Sequence, residues 1–363
     1  MITIIGAGLA GLSLAYRLKQ AGLDATILEA NSVAGGRIQP APHSMPTDHT
    51  SHQDLGPTWI WPYAQPVAKK WIDELGLSVF EQYDSGAGLI DHSVNEPAQQ
   101  RMLQSQYGSV RITGGTHAIV QALLSHVKDA VHYEHEVLSG TYQKEQWQLS
   151  VKATQNKKTS TNVTTATHVV IATPLRLAAT LLEPEREQAH ELLRTLSSVE
   201  TWMAPHAKVV AFYDTPFWRS SGLSGRIASQ VGPLVETHDH CGPDGTPAAL
   251  FGFSGVPAAA RAANKDAFID AVRAQLARCF GDAAPAPTSI VIRDWAFEPY
   301  TTTELDRNGS GQHPQLLHAS VRQAHFNNTL WFAASETASV SPGLIEGAFA
   351  RADQLAEELI RSY

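Results

Sequence analysis

Apolar positions open the chain as a run, Ile2, Ile4 and Ile5, the pattern of a short strand buried in a parallel sheet. A glycine-rich turn, Gly6-Ala7-Gly8-Leu9-Ala10-Gly11, follows at once. Leu9, Leu12, Tyr16 and Leu18 then recur at helical spacing, with Gly22 as the stop. Ala25 to Leu28 form a second apolar run, and an acid, Glu29, ends it. After a polar, proline-rich loop (QPAPHSMPTDHTSHQ), Val67, Trp71 and Leu75 mark one face of a helix that Gly76 stops. A strand-rich stretch runs to about Tyr107, and VRITGGTHAIVQALLSHV reads as a glycine turn into a helix. AVHYEHEVLSG, QWQLSVKA and THVVIATP are short strands; TQNKKTSTNVTTAT, between the last two, predicts a solvated hairpin loop. From about Pro174 to about His318, helical patterns (EREQAHELLRTL, DAFIDAVRAQLARCFGD) mix with strand patterns (AKVVAFY, AALFGFSG, TSIVIRDWAF). The tail, LWFAASETASVSPGLIEGAFARADQLAEELI, predicts a strand, a loop and a long final helix. No internal repeat is visible.

The opening strand, turn and helix carry chemistry. Gly6 permits the tight turn, Gly8 lets backbone approach a pyrophosphate, and Gly11 lets helix pack on strand. The helix N-terminus offers free N–H groups and a positive dipole end to phosphates. Glu29 stands near the spacing of roughly twenty residues expected of a ribose-binding acid. A dinucleotide site follows, with Gly6, Gly8, Ala10, Gly11 and Glu29 in it.

Composition narrows the class. The 363 residues are 43% hydrophobic and 17% charged, ordinary for a globular chain of two domains. The net charge of −8 and the lack of a long basic run argue against nucleic acid as a partner. No apolar segment is long enough to span a bilayer, and the first core strand leaves no room for a signal peptide. Two cysteines, Cys241 and Cys279, fit a reducing compartment, so a cytoplasmic location is expected. The HDHC run (His238, His240, Cys241) reads as part of a Gly/Pro-rich loop with no second cluster at ligand spacing, and no metal is expected. His43, His49 and His52 read as loop residues.

Beyond Glu29 the run Ala30 to Arg37, with Gly35-Gly36-Arg37, resembles the Glu-(x)-GGR signature of FAD-binding flavoproteins in the flavin amine oxidase family. The likeness recurs in DLGPTWIWP, where Gly56, Pro57, Thr58 and Trp59 match a backbone run passing close to the flavin. Val137 falls at a valine whose backbone meets adenine. FAASETASVSPGLIEGAF resembles the family's tail. There Ser335 and Glu336 would face the ribityl or pyrophosphate region. Gly343 would admit a helix end carrying the Leu344 or Ile345 N–H toward flavin N1/O2. HAKVVAFYDTPFW resembles the strand whose lysine, here Lys208, holds a water at flavin N5 and assists reaction with oxygen. Trp295 in RDWAFEPYTTTEL matches a tryptophan packed near the ring; Tyr300 and Phe297 are candidate pocket walls, while Phe251 and Phe253 read as core.

The resemblance implies an α/β fold: a Rossmann-like FAD-binding domain built from 1–66, 107–174 and 319–363, with a discontinuous α+β substrate domain from 67–106 and 175–318. It implies an oxidase that removes hydride from the carbon beside an amine nitrogen, gives an imine and then a carbonyl, and passes electrons to O2 with release of H2O2. Such chemistry needs positioning and a dry site rather than a base, so Lys208 and Trp295 are the nominated catalytic positions. Four departures matter. Leu344 stands where many members carry a substrate-framing aromatic, and Ala334 replaces a glycine. No cysteine follows the Trp295 region, so FAD should be non-covalent. The segment between DLGPTWIWP and VRITGGTH is short, similar to compact renalase-like flavoproteins, and implies a more open site. A desaturase, dehydrogenase or renalase-like oxidase acting on a non-amine, and a flavin-binding partner that does not turn over, stay open as alternatives. Oligomeric state is not readable from the sequence.

Overall fold

The computed structural model describes residues 1–42, 53–103, 107–155, 157–183, 187–281 and 284–362. His43, His49 and His52 lie outside the described residues. The fold is α/β. A five-stranded parallel sheet runs in the order Leu330–Phe332, His168–Ile171, Ile2–Ile5, Ala25–Leu28, Val131–His132. The opening strand is thus central and buried on both faces, which explains its unbroken apolar run. The helix Leu9–Gln20 leaves it through the glycine turn and packs against the final helix, Ile345–Ser362.

The second sheet has seven strands, in the order Ser289–Asp294, Ala207–Tyr213, Ala248–Ser254, Leu234–Asp239, Leu223–Ser229, Ala87–Asp91, Gln99–Arg101. Its strands carry Lys208, Phe251 and Phe253 toward the nucleotide-binding side. A three-stranded antiparallel sheet covers residues 135–166.

Three expectations change. The segment expected as a hairpin loop is largely strand: Lys158–Ala166 pairs antiparallel with Gln146–Gln155. Its β-branched threonines favour extended backbone while their hydroxyls stay solvated, so polar composition there marks an exposed strand rather than a loop. The HDHC run, expected in a loop, is half strand: His238 and Asp239 end the strand Leu234–Asp239, and His240 and Cys241 follow it outside any strand. Finally, the helix Pro66–Glu74, grouped by the sequence with the substrate domain, packs on the nucleotide-binding layer. Trp71 stacks on Phe349 of the final helix with ring centroids 4.7 Å apart. Glu346 accepts from the Val67 and Ala68 N–H groups and so caps that helix from the tail.

Candidate active site

A cavity of about 830 Å³ runs between the two sheets, toward the upper end of the roughly 300–1,000 Å³ typical of cofactor and ligand sites. At one end lies the glycine turn. The helix Leu9–Gln20 begins after Gly8 with no side-chain cap, so its first N–H groups face the cavity mouth. A Cβ on Gly11 would sit 2.1 Å from the Gly6 carbonyl oxygen, so only glycine allows this helix to approach its strand. Gly8 bridges to Gly35, and Gly36 adopts φ +56° with Gly8 Cα directly against it. The two glycine-rich runs thus form one backbone cradle. Gly6, Gly8, Ala10, Ala30, Gly35 and Gly36 line the cavity, whereas Gly11 acts from behind it. Glu29 lines it as well, its carboxylate accepting from the N–H groups of Ala7 at 2.7 Å and Asn31 at 2.8 Å. Burial raises its carboxyl above the usual range, and those donors oppose the rise. Val137 lines the same end. This cradle fits a dinucleotide.

Arg37 spans the middle. Its guanidinium donates to both carboxylate oxygens of Glu336, at 2.7 and 3.0 Å, and to Ser335 Oγ at 2.9 Å. Glu336 is 1% exposed and does not line the cavity, whereas Arg37 and Ser335 do. The expected direct contact from Glu336 to a cofactor is therefore corrected: its charge reaches the cavity through Arg37. Burial works against the Glu336 carboxylate, yet the Arg37 guanidinium holds its carboxyl below the ordinary range.

The far end is built by the 54–61 backbone, Lys208 and a set of aromatic rings. A Cβ on Gly56 would meet the Arg37 carbonyl oxygen at 1.9 Å, so this backbone is pressed onto the GGR run. Lys208 is 1% exposed and lies in an interior strand. Its Nζ donates to the Gly56 carbonyl at 2.8 Å and to Thr58 Oγ1, and sits 4.2 Å from the Phe251 ring centroid. Burial pushes its ammonium down to about 7, against the pull of the buried Asp54 carboxylate. Asp54 in turn accepts from Thr116 N–H and Oγ1, both at 2.7 Å, and its own N–H donates to His240 Nε2 at 2.9 Å. His240, fully buried beside Arg111 and Lys208, is held far below its usual range and is neutral. It serves as a hydrogen-bond acceptor for the 54–61 backbone.

Trp295 is 7% exposed, and its indole N–H donates to the Leu55 carbonyl at 2.9 Å. Gly56, Pro57, Thr58, Trp59, Lys208 and Trp295 all line the cavity. Tyr300 lines it too, but Phe297 does not, being 41% exposed and turned toward Arg307. Phe251 and Phe253, expected as core, also line the cavity, because the strand Ala248–Ser254 presents that face to it. Gly343, Leu344 and Ile345 line it at the start of the final helix. The Leu344 N–H, expected to face the cofactor, donates to the Ser341 carbonyl at 3.2 Å instead. The helix end is thereby left to Ile345.

Residues unmarked by the sequence complete the wall: Trp202, Met203, His206 and Glu236. Met203 adopts φ +63°, an uncommon conformation for a side-chain-bearing residue. The signal available for Glu236 was an acid within the apolar-flanked run LVETHD, just before the HDHC run. Among the described residues no group of three His, Cys, Asp or Glu side chains is placed to hold a metal. Both cysteines are buried, and their thiols are pushed up to about 12, chiefly by burial.

Residues 89–360 match the model of the flavin containing amine oxidoreductases, and residues 4–75 match an NAD(P)-binding Rossmann-like domain. A probable flavin-containing monoamine oxidase A of Dictyostelium discoideum is 31% identical over 162 residues, covering 42% of this chain and 33% of that protein. An amine oxidase [flavin-containing] B of Canis lupus familiaris is 27% identical over 164 residues, covering 43% and 30%. The matched stretches thus span about a third of the length of these curated relatives. Among solved structures, a putrescine oxidase with putrescine bound superposes with TM-score 0.79 at 19% identity, covering 99% of this chain and 98% of that one. A cyclohexylamine oxidase from Brevibacterium oxydans superposes with TM-score 0.77 at 16% identity, covering 99% and 98%. At such identities these structures speak for the fold. With the family model matched over most of its length, the chain belongs to the flavin-containing amine oxidoreductase family.

Proposed function

We propose that the chain is an amine oxidase that holds FAD non-covalently. The observation that carries this is the single cavity that joins the glycine cradle to the Lys208 and Trp295 end. Bound FAD would accept hydride from the carbon beside an amine nitrogen and deliver the electrons to O2, giving an imine and H2O2. The residues' work is placement and exclusion of water. Gly8, Gly36 and the helix N-terminus would receive the pyrophosphate, and Glu29 would receive a ribose hydroxyl; Arg37, set by Glu336 and Ser335, would supply a fixed cation to the bound cofactor. Lys208 anchors the Gly56–Thr58 backbone, and Trp295 anchors Leu55. Trp59, Phe251 and Phe253 form an apolar wall that favours an amine in its neutral, oxidisable form. Cys241 and Cys279 line no part of the cavity, consistent with non-covalent attachment.

Leu344 favours a second reading, a dehydrogenase or desaturase acting on a non-amine, because an aliphatic side chain frames an amine nitrogen less well than a ring. The test is an amine panel in air with peroxide and carbonyl product both quantified. Equal amounts of the two products support the amine oxidase. Flavin-loaded protein that yields neither with any amine overturns it.

A further inference from the structure

Three carboxylates line the cavity among the described residues: Glu29, Glu136 and Glu236. Two are engaged at the nucleotide end. Glu29 accepts from Ala7 and Asn31, and Glu136 pairs with Lys152 at 2.9 Å. Glu236 belongs to the other sheet. It stands opposite Phe253, and Phe253 stands opposite Lys208. Residues in such register point to one face, so Glu236, Phe253 and Lys208 form a row facing the cavity. The row spans two strand spacings, roughly 10 Å. Phe251 lies beside Phe253 on the same face, its ring 5.6 Å away. The floor therefore runs from Lys208 across two aromatic rings to a carboxylate.

That carboxylate is braced. His238 Nε2 lies 3.3 Å from it, and the His238 ring packs against Trp59 at 4.8 Å and Phe251 at 5.3 Å, both cavity residues. His238 is 2% exposed, so the brace is fixed, while the Glu236 side chain is 44% exposed and leaves oxygen lone pairs for a ligand. The close approach of His238 and the nearby positive charge of Arg226 hold its carboxyl below the ordinary range. The strand slips register between Leu234 and Glu236, and Val235 and Glu236 both face the cavity. Such a bulge re-aims a side chain at a sheet's functional face.

We propose that Glu236 is a distal cation subsite, so that the preferred substrate is a diamine: one amine, in its neutral form, oxidised near the Lys208 end, and an ammonium at the other end of an apolar stem lying over Phe253, held by Glu236. This rests on the amine oxidase reading above. The test compares 1,4-diaminobutane with 1-aminobutane, which share one stem, on flavin-loaded wild type and Glu236→Gln. Charged hydrogen bonds change affinity by roughly ten- to a hundredfold, and the partial exposure of Glu236 places the effect at about tenfold. Wild type should favour the diamine about tenfold in kcat/KM. Glu236→Gln should lower the diamine-to-monoamine ratio about tenfold, mainly through KM for the diamine. Because the ratio is internal to each variant, a general loss of folding cancels.

A wild type without preference for the diamine, or a ratio unchanged in Glu236→Gln, overturns the subsite. If neither amine is oxidised, the amine oxidase reading fails, and calorimetric binding of the same two compounds then decides the subsite separately. Tenfold tighter diamine binding that Glu236→Gln abolishes supports it. Equal binding of the two refutes it.

Discussion

Replacing Glu336 tests whether the cavity's fixed cation depends on its buried partner. Arg37 and Glu336 are 299 positions apart, yet they meet through two parallel hydrogen bonds of 2.7 and 3.0 Å. The pair joins the GGR run to the tail, two pieces of one domain far apart in the chain. Removing one partner of a fully buried pair costs about 3–5 kcal/mol. Here Glu336 is 1% exposed but the Arg37 side chain is 26% exposed, so water compensates part of the loss. We expect about 2 kcal/mol for Glu336→Ala in the flavin-free protein and about 1 kcal/mol for Glu336→Gln, which keeps hydrogen-bonding oxygen and shape. Arg37, no longer held, should bind FAD about tenfold more weakly. Urea unfolding and flavin titration measure the two effects.

The pH dependence supplies a sign. The folded carboxyl is held below its ordinary 4.5, because Arg37 outweighs the burial that acts against its charge. Its stabilisation is therefore complete above about 4.5 and is lost as pH falls through the folded value. Wild type should lose stability toward acid more steeply than Glu336→Gln. Unchanged stability and unchanged flavin affinity in Glu336→Ala would refute the reasoning.

Gly11→Val places side-chain carbon where the Gly6 carbonyl already stands 2.1 Å from a Cβ position, so the cradle must open. The purified variant should retain little flavin, and full retention contradicts the assigned packing. Lys208→Met should slow the return of flavin colour in air more than tenfold while anaerobic bleaching by amine stays within a few-fold; equal rates remove Lys208 from reaction with oxygen. The buried Lys208 ammonium titrates at about 7 rather than 10.5, so Lys208 destabilises the fold most below pH 7 and progressively less toward pH 10.5. The stability gained by Lys208→Met should accordingly be larger at pH 6 than at pH 9.5. Trp295→Phe leaves the Leu55 carbonyl without its indole donor and should cost about 1–2 kcal/mol, measurable by urea unfolding.

The nucleotide half of the site was legible because its requirements are local. A strand, a tight turn, a helix start and an acid at fixed spacing declare themselves within thirty or so residues, and the GGR and tail runs are equally short-range. What stayed hidden depends on partners distant in sequence. Nothing near Glu336 says that Arg37 engages both of its oxygens. Phe251 and Phe253 alternate as any half-buried strand does; only the neighbouring strands decide that their face meets a cavity. Glu236 was missed for the same reason, since its pairing opposite Phe253 is what aims it at the cavity. The exposed strand Lys158–Ala166 was missed for a different reason, since polar threonines carry extended-backbone preference without burial.

The central claim is that the cavity holds FAD and oxidises amines. A visible spectrum of the purified protein, recorded without oxygen before and after addition of 1,4-diaminobutane and a wider amine panel, tests it most directly. The account predicts the absorbance of oxidised flavin, its bleaching by an amine, and its return with H2O2 when air is admitted. A flavin band that no amine bleaches, or a protein that cannot be loaded with FAD at all, would contradict it.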